Sequence, residues 1–166
     1  MIIRPATPAD VPQILQFARD LATYEKEPDA VVATEADIHA GLFGPDRLVE
    51  ALIADEGGEA LGFAIFYRTF STWTGKPGFW LDDLYVRPEK RGSGAGKALL
   101  TAIAALAVER GYKRFDWWVL DWNAPSIGFY LKLGAKPMDE WTVYRLDGEA
   151  LAKVAAQSQT PRQGRG

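Results

Sequence analysis

The sequence predicts a mixed α/β domain of the α+β kind, one sheet with helices packed on it. Two observations point there. Strand-like and helix-like segments follow the order β-α-α-β-β-β-α-β-α-β, with antiparallel hairpins early and β-α-β units late. No internal repeat or interdomain linker interrupts them, so residues 1–156 read as one domain and 157–166 as a polar tail expected to be disordered.

Each element has its own signal. Ile2 to Arg4 is a short strand. Thr7 is a good N-cap, Pro8 suits a first helical position, and Asp10 complements the positive helix end. Ile14, Leu15, Ala18, Leu21 and Ala22 then recur at helical spacing. Thr34, with Glu35 and Asp37 behind it, starts a second helix that ends near Gly41 or Gly44. "RLVEALIAD" and "ALGFAIFYRTF" are strands joined by the turn "DEGGEA". "STWTGKPG" is a loop, and "FWLDDLYVRP" is a strand stopped by Pro88. A helix runs from Gly94 to Arg110 and closes at Gly111. "KRFDWWVL" is a strand, Asn123 caps a helix through about Lys132, and "WTVYRLDG" is a last strand.

Composition narrows the function. The net charge of -3 argues against a general nucleic-acid binder, which needs a basic face. No apolar run reaches the ~18 residues of a membrane span. The chain opens on the strand-like "IIRP" without a signal peptide, so a cytoplasmic location is the expectation. There is no cysteine, which removes disulfides, thiolate nucleophiles and cysteine metal sites together. The single histidine, His39, reads as a helix-surface residue, and no metal site is visible. Chemistry must come from carboxylates, tyrosine, lysine, backbone amides or a borrowed cofactor.

"RGSGAGKALL", Arg91 to Leu100, puts three glycines at alternate positions between a strand and a helix. Amides of such a loop and of the first helical turn converge on one spot, and the helix dipole favours an anion there. A flexible turn seldom needs three glycines at this spacing. The P-loop pattern fails, because three residues separate Gly92 from Gly96 and Ala98 follows Lys97. The dinucleotide fingerprint fails because Lys97 stands where a glycine is required.

The strand before this loop carries Asp82 and Asp83 in apolar company. Aspartate is depleted in strands, and alternation is expected to send the two to opposite faces. A carboxylate buried there without a partner costs several kcal/mol, about 2–7 for a polar group and more for a charge. One of the pair is therefore expected to face a cleft or a partner group. In "DWNAPSIGFYLKLGA", Asn123 is an N-cap able to bond a ligand, and Ser126 and Tyr130 share one helix face.

The spacing Arg-x-x-Gly-x-Gly at Arg91, Gly94 and Gly96, after "LYV", resembles the acetyl-CoA pyrophosphate loop of the GNAT N-acetyltransferase superfamily. "IRPAT", "LATYE", "GFAIFYRTFSTWTGKPGFWLDDLYV", "RGSGAGKALL" and "WNAPSIGFYLKLGA" narrow the resemblance to its diamine (spermidine/spermine) acetyltransferase branch, over roughly Ile2 to Leu146. That branch also holds enzymes acting on thialysine and related amino acids. It often has Glu-Asp where this chain has Asp82-Asp83, which draws one carboxylate back by a methylene.

The resemblance implies a GNAT fold, with a mostly antiparallel central sheet of about six to seven strands and flanking helices. It implies acetyl transfer from acetyl-CoA to a primary amine of a small cationic substrate, a diamine, polyamine or thialysine-like amino acid. It also implies a homodimer. Carried over by position, Leu84, Tyr85 and Val86 hold the pantetheine. Arg91, Gly92, Ser93, Gly94, Ala95, Gly96 and Lys97 hold the pyrophosphate. Asn123 and Ser126 contact the cofactor near its thiol, and Tyr130 is the general acid. The base is Asp82, acting through water, with Asp83 in reserve. Tyr24, Glu25, Asp82, Asp83, Trp73, Trp117, Trp118 and Glu140 are the substrate-binding candidates. Two alternatives stay open: another amine, on a protein or an antibiotic, or an acyl-CoA-binding sensor module without catalysis.

Overall fold

A computed structural model of the chain describes residues 1–159. The tail expected from residue 157 lies outside the described residues from 160 onward. Two compact units divide the chain, residues 1–120 and the part from Asp121 on.

The first unit is one sheet in the order β1-β2-β3-β4-β5. The strands are β1 (Ile2–Pro5), β2 (Glu50–Glu56), β3 (Glu59–Ser71), β4 (Lys76–Val86) and β5 (Phe115–Trp117). The first four pair antiparallel in sequence order, and β5 joins β4 in parallel after a helical crossover. Helices α1 (Val11–Tyr24) and α2 (Glu35–Phe43) cover one face, and α3 (Ala95–Glu109) is the crossover. Ile14 and Phe17 of α1 and Leu42 of α2 pack with Ile53, Phe63, Ile65 and Tyr85 on the first face. Phe66 and Phe79 point to the opposite face, where Tyr112, just past α3, meets the Phe79 ring at 4.9 Å.

Local chemistry explains the starts. The Thr34 hydroxyl and amide both donate to Asp37, at 2.6 and 2.8 Å, while the Asp37 amide donates back to Thr34. This reciprocal cap begins α2 where the sequence places it. Thr7 donates likewise to Asp10 through its amide and hydroxyl, at 2.7 and 2.8 Å. A short 3-10 turn, Pro8–Asp10, precedes α1. Arg4 on β1 forks onto Asp10 at 2.8 Å and reaches Asp55 on β2 at 3.0 Å. The Arg4 guanidinium holds the Asp10 carboxyl down to about 2, so this clasp survives acidification that protonates ordinary carboxylates. His39 lies exposed on α2, its ring 5.5 Å from Phe43.

The second unit contains α4 (Ala124–Lys132) and α5 (Gly148–Ala155). The last expected strand is not formed. Residues 141–147 are coil with exposed side chains and join no ladder among the described residues, and an unpaired strand is not stable alone. The Ala-rich "EALAKVA" after it is helical, with Glu149 and Lys153 paired one turn apart at 3.7 Å. Among the described residues the sheet therefore has five strands rather than six to seven. No helix among the described residues is long and apolar enough to cross a membrane.

Candidate active site

The register of β3 against β4 slips at one point. Ile65 faces Asp83, and the next residue, Phe66, faces Leu81, so Asp82 is the extra residue of a β-bulge. This overturns the alternation expected from sequence. Leu81 shares a face with Phe66, which sends Asp82 to the other one. Asp83 shares that other face through its partner Ile65. Both carboxylates thus emerge on the face covered by α1 and α2.

Electrostatics agree. Burial raises the Asp83 carboxyl to about 7, helped by the nearby charges of Asp82 and Glu25. Burial alone raises those of Glu25 and Asp82. Among the described residues none of these three carboxylates has an ion-pair partner. Tyr67, across from Trp80 on β3, joins them on this face, and its phenol is raised by burial and then by the Asp82 charge.

Glu25 follows the last turn of α1, where Lys26 turns left-handed at φ 67°. The Glu27 amide reaches back to the Ala22 carbonyl at 2.8 Å, closing the helix and fixing the direction of Tyr24 and Glu25. The Arg91 guanidinium lies 4.8 Å from the centre of the Tyr24 ring and 5.8 Å from that of Tyr85. Its Nε donates to the Val86 carbonyl at 3.2 Å. Arg91 therefore fastens the glycine loop to the end of α1.

Pairing of β4 with β5 stops at Leu81 opposite Trp117. From Asp82 to Val86 the outer edge of β4 has no neighbouring strand among the described residues, so its outward peptide groups, apart from the Val86 carbonyl that Arg91 Nε reaches, have no ladder partner. The edge leads straight into the glycine loop. Gly92 and Gly94 have φ of 80° and 90°, a region that L side chains rarely adopt, and a Cβ at either would meet only open space. Gly96 is conventional in backbone, and a Cβ there would lie 3.7 Å from Val86 Cγ2. The amides of Gly92, Gly94, Gly96 and Lys97 donate to no acceptor among the described residues, while the Ala95 amide donates to Ser93 Oγ at 3.4 Å. Free amides, a helix start and no side chain in the way fit a diphosphate.

The structure brings together Tyr24, Glu25, Asp82 and Asp83, with Leu84 to Val86 and the loop beyond them. Trp117 and Trp118 stand at the end of β5. Trp117 pairs with Leu81 and so takes the face opposite Asp82, against the sequence expectation, while the Trp118 ring meets Trp80 edge to face at 5.0 Å. Trp73 is not brought there. It sits on the turn between β3 and β4, 84% exposed, about 20 Å along the strand from Asp82 at the usual rise per residue. In the second unit, buried Asn123 caps α4 by accepting from the Ser126 amide at 3.4 Å. Tyr130 follows Ser126 by one turn, half-buried, and Glu140 is exposed. Sequence reasoning missed Tyr67 and Trp80. Period-two counting back from Asp82 places Trp80, and onward from Ile65 places Tyr67, once the register is known; the bulge that sets it leaves no mark in the sequence.

Residues 12–135 match the family model described as Acetyltransferase (GNAT) family. The chain is 35% identical to the thialysine N-epsilon-acetyltransferase of Sus scrofa, over 93% of this chain and 97% of that protein. It is 30% identical to the L-ornithine N5-acetyltransferase of Arabidopsis thaliana, over 92% and 86% respectively. Among solved structures, an integron cassette protein from the mobile metagenome of V. cholerae superposes with a TM-score of 0.78 at 26% identity, covering 95% of this chain and 98% of that one. A sheet that opens beside paired acids and runs into a glycine loop, a family model spanning most of the chain and relatives alike almost end to end agree: this chain belongs to the GNAT family of acetyltransferases.

Proposed function

We propose that the chain acetylates a primary amine of a small cationic substrate, a diamine, polyamine or thialysine-like amino acid, with acetyl-CoA as donor. The observation that carries this reading is the β4 bulge, which gathers Asp82 and Asp83 on one face beside the open strand edge. Relatives acting on thialysine and ornithine support the substrate class. Bound acetyl-CoA supplies the acetyl thioester. The open edge at Leu84 to Val86 receives its pantetheine in the manner of an added strand, and the amides from Gly92 to Lys97 hold its diphosphate.

An aliphatic ammonium has a pKa of about 10 and must lose a proton before it attacks. Asp82, at the bulge, and Glu25 draw the cation in. Asp83, raised to about 7, is the carboxyl best matched to accept a proton near neutral pH. The base is therefore assigned to the coupled pair, with Asp83 as its proton-holding member. Without cysteine, direct attack in a ternary complex is the simplest scheme, and proximity supplies much of the rate. Tyr130 returns a proton to the departing thiolate.

Amine-dependent release of CoA thiol, measured across ornithine, thialysine, lysine, cadaverine and spermidine, tests the reading. Release with at least one is expected, and silence with all of them overturns it. The Tyr130→Phe variant should lose about 10²-fold in kcat with acetyl-CoA affinity held within about twofold, because only a proton donor is removed. A wild-type kcat would strip Tyr130 of its role.

A further inference from the structure

β5 places a further carboxylate on the active face. Asp116 is in register with Trp80 on β4, and in a parallel pair such partners share a face. Trp80 is on the same face as Asp82, two residues before it. Trp118, two residues after Asp116, returns to that face and touches Trp80 edge to face at 5.0 Å. The four side chains mark a rectangle, with the carboxylates on one diagonal and the touching rings on the other. One strand spacing and two residues of rise set the carboxylate-bearing Cα atoms about 8 Å apart. The only cation near Asp116 among the described residues is Arg114, whose Nε stands off at 3.9 Å, and both side chains keep contact with solvent. A loose pair of this kind exchanges readily for a better-placed cation.

We propose that Asp116, with Trp80 and Trp118, forms a distal acceptor subsite that takes the second ammonium of a two-ammonium substrate. The inference rests on the acetyl-transfer reading and adds to it a determinant of specificity. The reacting amine sits at Asp82 and Asp83, the methylene chain crosses the ring pair, and the far ammonium meets Asp116. Indole faces suit both an alkyl chain and a cation.

Cadaverine and pentylamine share a chain and differ by the far ammonium, so they read this subsite directly. The wild type should prefer cadaverine. Asp116→Asn should raise KM for cadaverine about fivefold, as expected for one partly exposed charge pair, and leave pentylamine unchanged. Asp116→Glu should keep the preference. Calorimetric titration of both amines into the wild type and Asp116→Asn gives the same comparison without turnover. A wild type indifferent to the second ammonium, equal losses for both amines, or no measurable cadaverine binding would each overturn the subsite. Asp116-dependent cadaverine binding without acetylation of any amine would uphold it while removing the acetyl-transfer reading.

Discussion

Replacing Asp83 with asparagine is expected to abolish most turnover and, above neutral pH, to make the fold more stable. The sign follows from the proton. The Asp83 carboxyl titrates at about 7 in the folded chain, against an ordinary 3.8 when unfolded. Between those values the native state holds a proton that the unfolded state has released. Stability therefore falls as pH rises from about 4 to about 7, and above that window the wild type carries a charge its surroundings disfavour. Asparagine carries none. The variant should gain about 1–2 kcal/mol above pH 8, less than the full shift implies because the site is only half-buried, and almost nothing near pH 4. For a chain of this size that is a Tm increase of about 4 °C at the alkaline end. Turnover should drop about 10²–10⁴-fold with loss of the base. Melting curves at pH 5 and pH 8.5, beside rates of CoA release, check both halves. A Tm gain equal at the two pH values, or a retained rate, contradicts the assignment.

At the glycine loop, two substitutions should move stability and binding in different combinations. Gly94 sits at φ 90° with open space where a Cβ would go, so valine there meets no atom and suffers only backbone strain. That strain is about 1–3 kcal/mol, and the loop can relieve it only by turning its amides away from their common focus. Gly94→Val is expected to lower Tm by several degrees and to weaken acetyl-CoA binding more than tenfold. Gly96→Ala should do the reverse to stability. Its backbone is ordinary and the new methyl rests 3.7 Å from Val86, while alanine is favoured over glycine in a helix by about 1 kcal/mol. The same methyl narrows the approach to the amides, so the affinity for acetyl-CoA falls as Tm rises. Calorimetry with acetyl-CoA and thermal melts of both variants decide the matter. Wild-type affinity in both would show that the diphosphate is held elsewhere.

Much of this was legible in the sequence because it is local. The Thr34–Asp37 cap, the glycine spacing and the helical repeat of α1 are written within a few residues of each other. What depended on a partner was not. Asp82 and Asp83 look like alternating neighbours until β3 is laid beside them and the bulge turns both to one side. Strand β5 is short because its pairing with β4 ends at Leu81, just before the bulge at Asp82, although "KRFDWWVL" reads as strand throughout. The run "WTVYRLD" has the composition of a strand but joins no ladder among the described residues and remains coil. Helix α5 lies directly beyond that false strand, where its alanines and its Glu149–Lys153 pair favour helix.

The bare flank of β4 has a practical side. A row of unsatisfied peptide groups is a template for any extended polypeptide, including another molecule's unfolded segment. A donor lying along that flank would shield it and also weight the equilibrium toward the native form by mass action. The empty protein should consequently be the form that clumps during overproduction, and adding coenzyme A to the lysis buffer should keep more of it in the supernatant.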